Sequence, residues 1–269
     1  MKASGLLTLL FLAGCSPPPL PVLAGAPLPA GTARGIDMPT DARDVAMELG
    51  GSHLDFVARY YRDPASRWPA LSADEARTVS ATGKKLVAIW ESHSHNPAYF
   101  SYGSGYADAL SAYRQAKAVG QPHGSAIYFA VDFNAQQGDI LGPVDAYFRG
   151  VYNGLIEAAG GHVPDYRVGV YGSGAVCSYL KQARLAAYTW LSNSTAWAGY
   201  NRFTDWNIRQ GGQSLLLSFS QDSNEARGDY GGFSIPGGSS PDNLSAEAQR
   251  ARSAPTPKPI SLNGTPDAL

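Results

Sequence analysis

The sequence is poor in cysteine, in charge and in long apolar runs, and each shortage removes a class of protein. Its two cysteines, Cys15 and Cys177, lie in segments of different character and build no disulfide framework. Charged residues make up 16% of the 269 positions, and 21 Lys and Arg against 22 Asp and Glu leave a net charge of −1. Without a basic run the chain shows no electrostatic footprint for nucleic acid. No apolar run approaches the roughly 20 residues that span a bilayer as a helix. No Gly-rich phosphate fingerprint follows the first candidate strand, so nothing supports nucleotide binding and no cofactor is expected.

What is present divides the chain into four stretches. Lys2 supplies a positive start and Leu6 to Leu12 a short apolar run, followed by Leu12-Ala13-Gly14-Cys15. This string resembles the bacterial lipobox, in which the cysteine is acylated, so residues 1–15 are read as a lipoprotein signal peptide with Cys15 as the lipidation site. Residues 16–33 are rich in Pro, Ala and Gly and read as a tether, and 236–269 as a tail expected to be disordered. The folded body is expected over 34–235. The expected location is the cell envelope, exported across the inner membrane and held by lipid on the periplasmic face or an outer membrane.

Within the body, short β-branched and aromatic runs at 34–37, 55–61, 85–91, 126–132, 167–173, 188–192, 206–210 and 215–221 read as strands. Helical patterns lie around 41–50, 73–82, 104–119, 143–159 and 174–186, with room only for short or missing helices after that. Strand–helix alternation implies a parallel sheet with helical crossovers, and eight strands in this length predict a (β/α)8 TIM-type barrel. A doubly wound open sheet is the structural alternative.

A barrel of this kind places its active site at the C-terminal strand ends. Asp37, Glu91 and Asp132 end candidate strands one, three and four, and Asp222 follows strand eight. Side chains alternate across a strand, which puts Tyr128, Ala130, Asp132 and Asn134 inward on strand four and Val87, Ile89 and Glu91 on one face of strand three. Carboxyls on neighbouring strand ends approach the roughly 5–9 Å separations of glycoside hydrolysis. Crowding them raises the pKa of one member, as a general acid requires. The competing reading is that each acid caps a helix or pairs in a loop.

Gly35-Ile36-Asp37, Phe56-Val57-Ala58-Arg59-Tyr60-Tyr61, Ile127-Tyr128-Phe129-Ala130-Val131-Asp132, Gln221-Asp222-Ser223-Asn224 and Tyr230-Gly231-Gly232-Phe233 form one ordered set. The set resembles the glycoside hydrolase-like family known as domain of unknown function 1906, itself similar to the family 25 lysozymes that cleave peptidoglycan. The resemblance implies a peptidoglycan or amino-sugar glycan as partner. Those lysozymes carry an Asp on the first strand, an Asp-x-Glu on the fourth and an Asp near the eighth. Asp37, Asp132 and Asp222 match the aspartates, but Asn134 stands where the Glu belongs, and an amide has no proton to titrate. Glu91, on the neighbouring strand, is the expected replacement, with Asp132 as nucleophile or charge stabiliser and Asp37 and Asp222 positioning the sugar. The alternative is a glycan-binding barrel without catalysis.

Tyr171, Trp197, Tyr102, Tyr106 and Tyr200 are candidate rim residues, whereas Trp190 and Trp206 read as packing. Tyr61, Tyr128 and Asn134 join the candidate substrate contacts. Arg59 shares parity with Tyr61 and is expected to point into the barrel, to bind the sugar or to pair with Asp37. Glu91, His93 and His95 alternate like metal ligands, but exposed histidines are the preferred reading and no metal site is assigned. A monomer is expected.

Overall fold

The computed structural model describes residues 31–236, apart from 216, 219 and 220 and the side chain of Ser214. The signal segment with Cys15, most of the tether and nearly all of the tail lie outside the described residues. Eight strands close into a barrel in chain order: β1 (Thr32–Asp37), β2 (Phe56–Tyr61), β3 (Lys85–Trp90), β4 (Ala126–Ala130), β5 (Arg167–Gly172), β6 (Tyr188–Leu191), β7 (Ile208–Ser214) and β8 (Gln221–Arg227). Outside lie α1 (Ala46–Gly51), α2 (Ala73–Ala81), α3 (Tyr102–Val119), a continuous run of α4 (Gln137–Asp139), a π turn and α5 (Asp145–Ala158), and α6 (Gly174–Gln182). No helix follows α6 among the described residues. The chain thus folds as the expected TIM-type barrel.

Strand alternation builds two apolar layers. Phe56, Ala58, Val87, Ile89, Tyr128, Ala130 and Trp190 fill the barrel, while Val57, Tyr61, Ala88, Ile127, Phe129 and Val170 pack outward against the helices. Tyr128 is fully buried and donates to the Tyr230 carbonyl at 2.9 Å. Helices α3 and α5 pack unusually close. A Cβ at Gly150 would sit 2.1 Å from the Tyr102 carbonyl, and one at Gly105 2.0 Å from that of Tyr147, so only glycine permits the crossing.

The expected eighth strand is displaced and reversed. It occupies Gln221–Arg227, not 215–221, and pairs antiparallel with both β1 and β7, so the sheet is not wholly parallel. The cause is the length of the connection. Six residues separate β7 from β8, too few for a helical crossover, so the chain returns as a hairpin. The alternating Leu215 and Leu217 mimic a strand, yet Leu215 is 68% exposed. Reversal has a useful consequence. β8 begins where the mutually parallel strands end, so Asp222 stands level with Asp37 in the β1–β8 register.

Candidate active site at the C-terminal end of the barrel

Four acids converge on one cavity of about 190 Å3, lined by Asp37, Glu91, Asp132 and Asp222 with Tyr60, Ile89, Tyr171, Trp190 and Gln210. Each arrives by a local rule of the fold. Asp37 is the last residue of β1, Glu91 directly follows β3 and Asp132 lies two residues beyond β4. The β3–β4 register pairs Trp90 with Phe129, so Glu91 is level with Ala130 and Asp132 stands one pleat higher. The Asp132 amide donates to the Ser94 carbonyl at 2.9 Å, which ties it to the loop after β3.

Asp37 is the most supported of the four. Asn224 Nδ2 donates to it at 2.7 Å, Gln210 Nε2 at 3.1 Å and the Tyr60 hydroxyl at 3.1 Å. These donors are fixed in turn: Trp190 Nε1 donates to Asn224 at 2.9 Å, and the Tyr171 hydroxyl to Gln210 Oε1 at 2.9 Å. Gln210 also reaches Asp222 at 3.4 Å. Burial nevertheless pushes Asp37 up to about 6, against these hydrogen bonds and with help from the Asp222 charge.

Glu91 is held differently. Burial pushes its carboxyl up to about 7, the Asp132 and Asp37 charges add to the rise, and Arg62 opposes it. Burial also raises Asp132, which His95 partly counters, and raises Asp222. The cleft therefore leaves Glu91 largely protonated below about pH 7, with the Asp132 charge acting on it. Two carboxyls in one cavity under different influences, Glu91 pushed up by burial and by neighbouring acids and Asp132 eased by His95, can form an acid paired with a base or nucleophile.

Sequence reasoning placed Arg59 and Tyr61 in the site, and here it fails. Both lie on the outward face of β2, since Phe56 and Ala58 take the inward positions. Arg59 is fully buried, forms an ion pair with Glu75 and donates to the Met38 carbonyl at 2.8 Å. Tyr61 donates to Gln121 at 2.7 Å in the outer layer. Tyr128 packs beneath the cavity floor without lining it. Asn134 is exposed, and its Oδ1 accepts from the Ala198 amide at 3.0 Å, so it braces the segment carrying Trp197 and does not line the cavity. Tyr171 does line it. Tyr102 and Tyr106 stack on α3 away from the acids, with Asn153 of α5 donating to Tyr102. Trp190 is buried in the barrel, and half-buried Trp206 is covered by Arg209 and Arg227. Among the described residues no group of three His, Cys, Asp or Glu side chains is placed to hold a metal ion.

The residues missed are Tyr60, Gln210 and Asn224. The signal for Tyr60 was available: it continues the Phe56, Ala58 alternation. For Gln210 and Asn224, polar residues on the last two strands carried no pattern that distinguished interior from solvent.

A family model described as Rv2525c-like, glycoside hydrolase-like domain matches residues 48–236. The uncharacterized protein YbfG of Bacillus subtilis (strain 168) is 31% identical over 127 residues, which is 46% of this chain and 17% of that protein. The chain thus spans under a fifth of that relative's length. The Mycobacterium tuberculosis Tat-secreted protein Rv2525c, solved in complex with HEPES, superposes with a TM-score of 0.61 at 18% identity, over 75% of this chain and 98% of that one. The modular autolysin LytC from Streptococcus pneumoniae, solved with a synthetic peptidoglycan ligand, gives a TM-score of 0.51 at 13% identity, over 72% of this chain and 46% of that one. Likenesses at such identities concern the fold.

Proposed function

The chain belongs to the Rv2525c-like, glycoside hydrolase-like family, and on that premise we propose that it is a glycoside hydrolase of the cell envelope acting on peptidoglycan or a related amino-sugar polymer. The observation that carries the reading is Glu91, a carboxyl raised to about 7 beside Asp132 in one cavity at the C-terminal rim. Glu91 donates its proton to the leaving glycosidic oxygen. Asp132, as the carboxylate, stabilises positive charge developing at the anomeric carbon or attacks it, and a water then adds there, displacing Asp132 where it is bonded and returning a proton to Glu91. Asp37 and Asp222 receive hydrogen bonds from sugar hydroxyls, and Tyr60, Gln210 and Asn224 hold the Asp37 carboxylate in place.

A glycan-binding barrel without cleavage is the second reading, favoured by Asn134, whose amide carries no transferable proton and is already committed to Ala198. Both readings are tested by incubating the full chain with purified peptidoglycan and assaying new reducing ends. A hydrolase releases them, and Asp132→Asn should slow release about 100-fold or more, the scale for losing a positioned charge or nucleophile. Binding without release supports the second reading.

The location is a separate proposal, resting on Leu12-Ala13-Gly14-Cys15. Palmitate should label the protein in bacterial cells, and Cys15→Ala should abolish the labelling and shift the protein from the detergent to the aqueous phase. Unchanged labelling of the variant would remove the lipid anchor from the account.

A further inference from the structure

Beyond the rim the acid cavity opens into a larger hollow of about 510 Å3, walled by Arg62, Trp68, Pro39, Thr40, Gln213 and Gln221 and sharing Asp37, Tyr60, Glu91 and Asp222 with the inner site. Arg62 is built into this wall. Gln115 of α3 grips its backbone from both sides, accepting from the Arg62 amide at 3.1 Å and donating to its carbonyl at 2.7 Å. The guanidinium lies 4.2 Å from the centre of the Tyr60 ring. Among the described residues no carboxylate comes within ion-pair distance of it, although seven such pairs form elsewhere. Its Nε is buried and has no hydrogen-bond partner among the described residues.

Two neighbours point the same way. Gln221 is 5% exposed, lines this hollow, and neither end of its side-chain amide has a partner among the described residues. Buried polar groups are ordinarily paired, so orphans gathered at one cavity mark where a polar partner is missing. Trp68 is 46% exposed and lines the same wall. An apolar pyranose face packs on such a ring. A cation fixed in place, without an ion-pair partner among the described residues and sharing its hollow with Asp37, Glu91 and Asp222, selects for the position of a negative charge, because beside those acids a carboxylate meets like charge.

We propose that this outer hollow is a subsite for a sugar carrying a carboxylate, with Arg62 binding the carboxylate and Trp68 stacking on the ring. It rests on the glycan reading above. The carboxylate sits either on a lactyl ether of the sugar or on a peptide attached through that ether, and the two sources are separable.

The test is calorimetric binding by the full chain of three probes. These are neutral chitotetraose, the alternating N-acetylglucosamine–N-acetylmuramic acid tetrasaccharide with free lactyl carboxylates, and that tetrasaccharide with a dipeptide on each lactyl group, its carboxylates then on the peptide only. At least one acidic probe should bind about tenfold or more tighter than chitotetraose, the scale of a charge-assisted hydrogen bond. Whichever acidic probe binds more tightly identifies the source. Arg62→Gln should reduce the acidic probe to the chitotetraose level and leave chitotetraose unchanged. Arg62→Lys should keep part of the preference, and Trp68→Ala should weaken all three alike. Equal binding of neutral and acidic probes by the wild type, or an equal loss on all three in Arg62→Gln, overturns the subsite and leaves the glycan reading standing. Failure of every probe to bind overturns both.

Discussion

Glu91→Gln is expected to lower the rate of glycan cleavage by about two orders of magnitude or more, the contribution of a positioned general acid. It should also change the shape of the pH profile. The Glu91 carboxyl is pushed up to about 7 by burial and by the Asp132 charge, so it carries its proton below that pH and loses it above. Wild-type activity should therefore fall as pH rises through about 7. The residual activity of Glu91→Gln should lack that fall, because glutamine does not titrate. The same substitution should raise stability at alkaline pH. In the unfolded chain the carboxyl ionises near its ordinary 4.5, while the folded cleft resists ionisation up to about 7. Stability tied to this group is whole at acid pH and is lost as pH climbs through that window. Subtracting the variant's unfolding free energy from that of the wild type isolates Glu91 from the other raised acids. The difference should move in the variant's favour across the window by an amount on the order of 3 kcal/mol. A variant inactive and also destabilised at every pH would instead mark Glu91 as structural.

The second large effect lies outside the cleft. Arg59 and Glu75 are both buried, and Glu75 accepts from Arg59 and from the Ala42 amide at 2.8 Å. Arg59 also donates to the Met38 carbonyl, directly after Asp37. This pair joins α2, β2 and the segment leaving β1. Removing one partner strands a charge in an apolar layer, which typically costs about 3–5 kcal/mol. Glu75→Ala should thus lower the melting temperature by roughly 6–20 °C in a domain of this size. Replacing both partners by apolar residues, Arg59→Met with Glu75→Leu, should recover much of that loss because no charge is left unpaired. A double variant as unstable as Glu75→Ala would show that the pair holds the fold by geometry that apolar packing does not replace.

The strands legible in the sequence were those whose two faces both met apolar layers. On β3, β4 and β5 the β-branched and aromatic runs locate each strand within a residue or two, because nearly every side chain beyond the first residue leaves water. β8 was misplaced because its composition follows function. Asp222 and Asn224 point inward to the polar site, Glu225 and Arg227 face outward, and nothing in that alternation looks buried. The exposed Leu215 nearby supplied a false strand. Asp37, Glu91 and Asp132 could be placed at one end of the barrel because strand ends can be read from the strands themselves. Arg59 was misplaced because its partner Glu75 lies 16 residues away on α2, a pairing that no local pattern reveals. Arg62 and Trp68 lie between β2 and α2, where no periodicity reports orientation, and only the closed barrel brings them to the acids.

The most direct test sets wild type beside Asn134→Glu on purified peptidoglycan glycan strands, with cleavage products identified by mass spectrometry. Glu91 supplies the acid in this account, so the wild type should release oligosaccharides, and Asn134→Glu, whose new carboxyl lies outside the acid cavity, should add little. A wild type that binds the strands without cleaving them, together with cleavage by Asn134→Glu, would contradict the account and assign the fold to glycan binding.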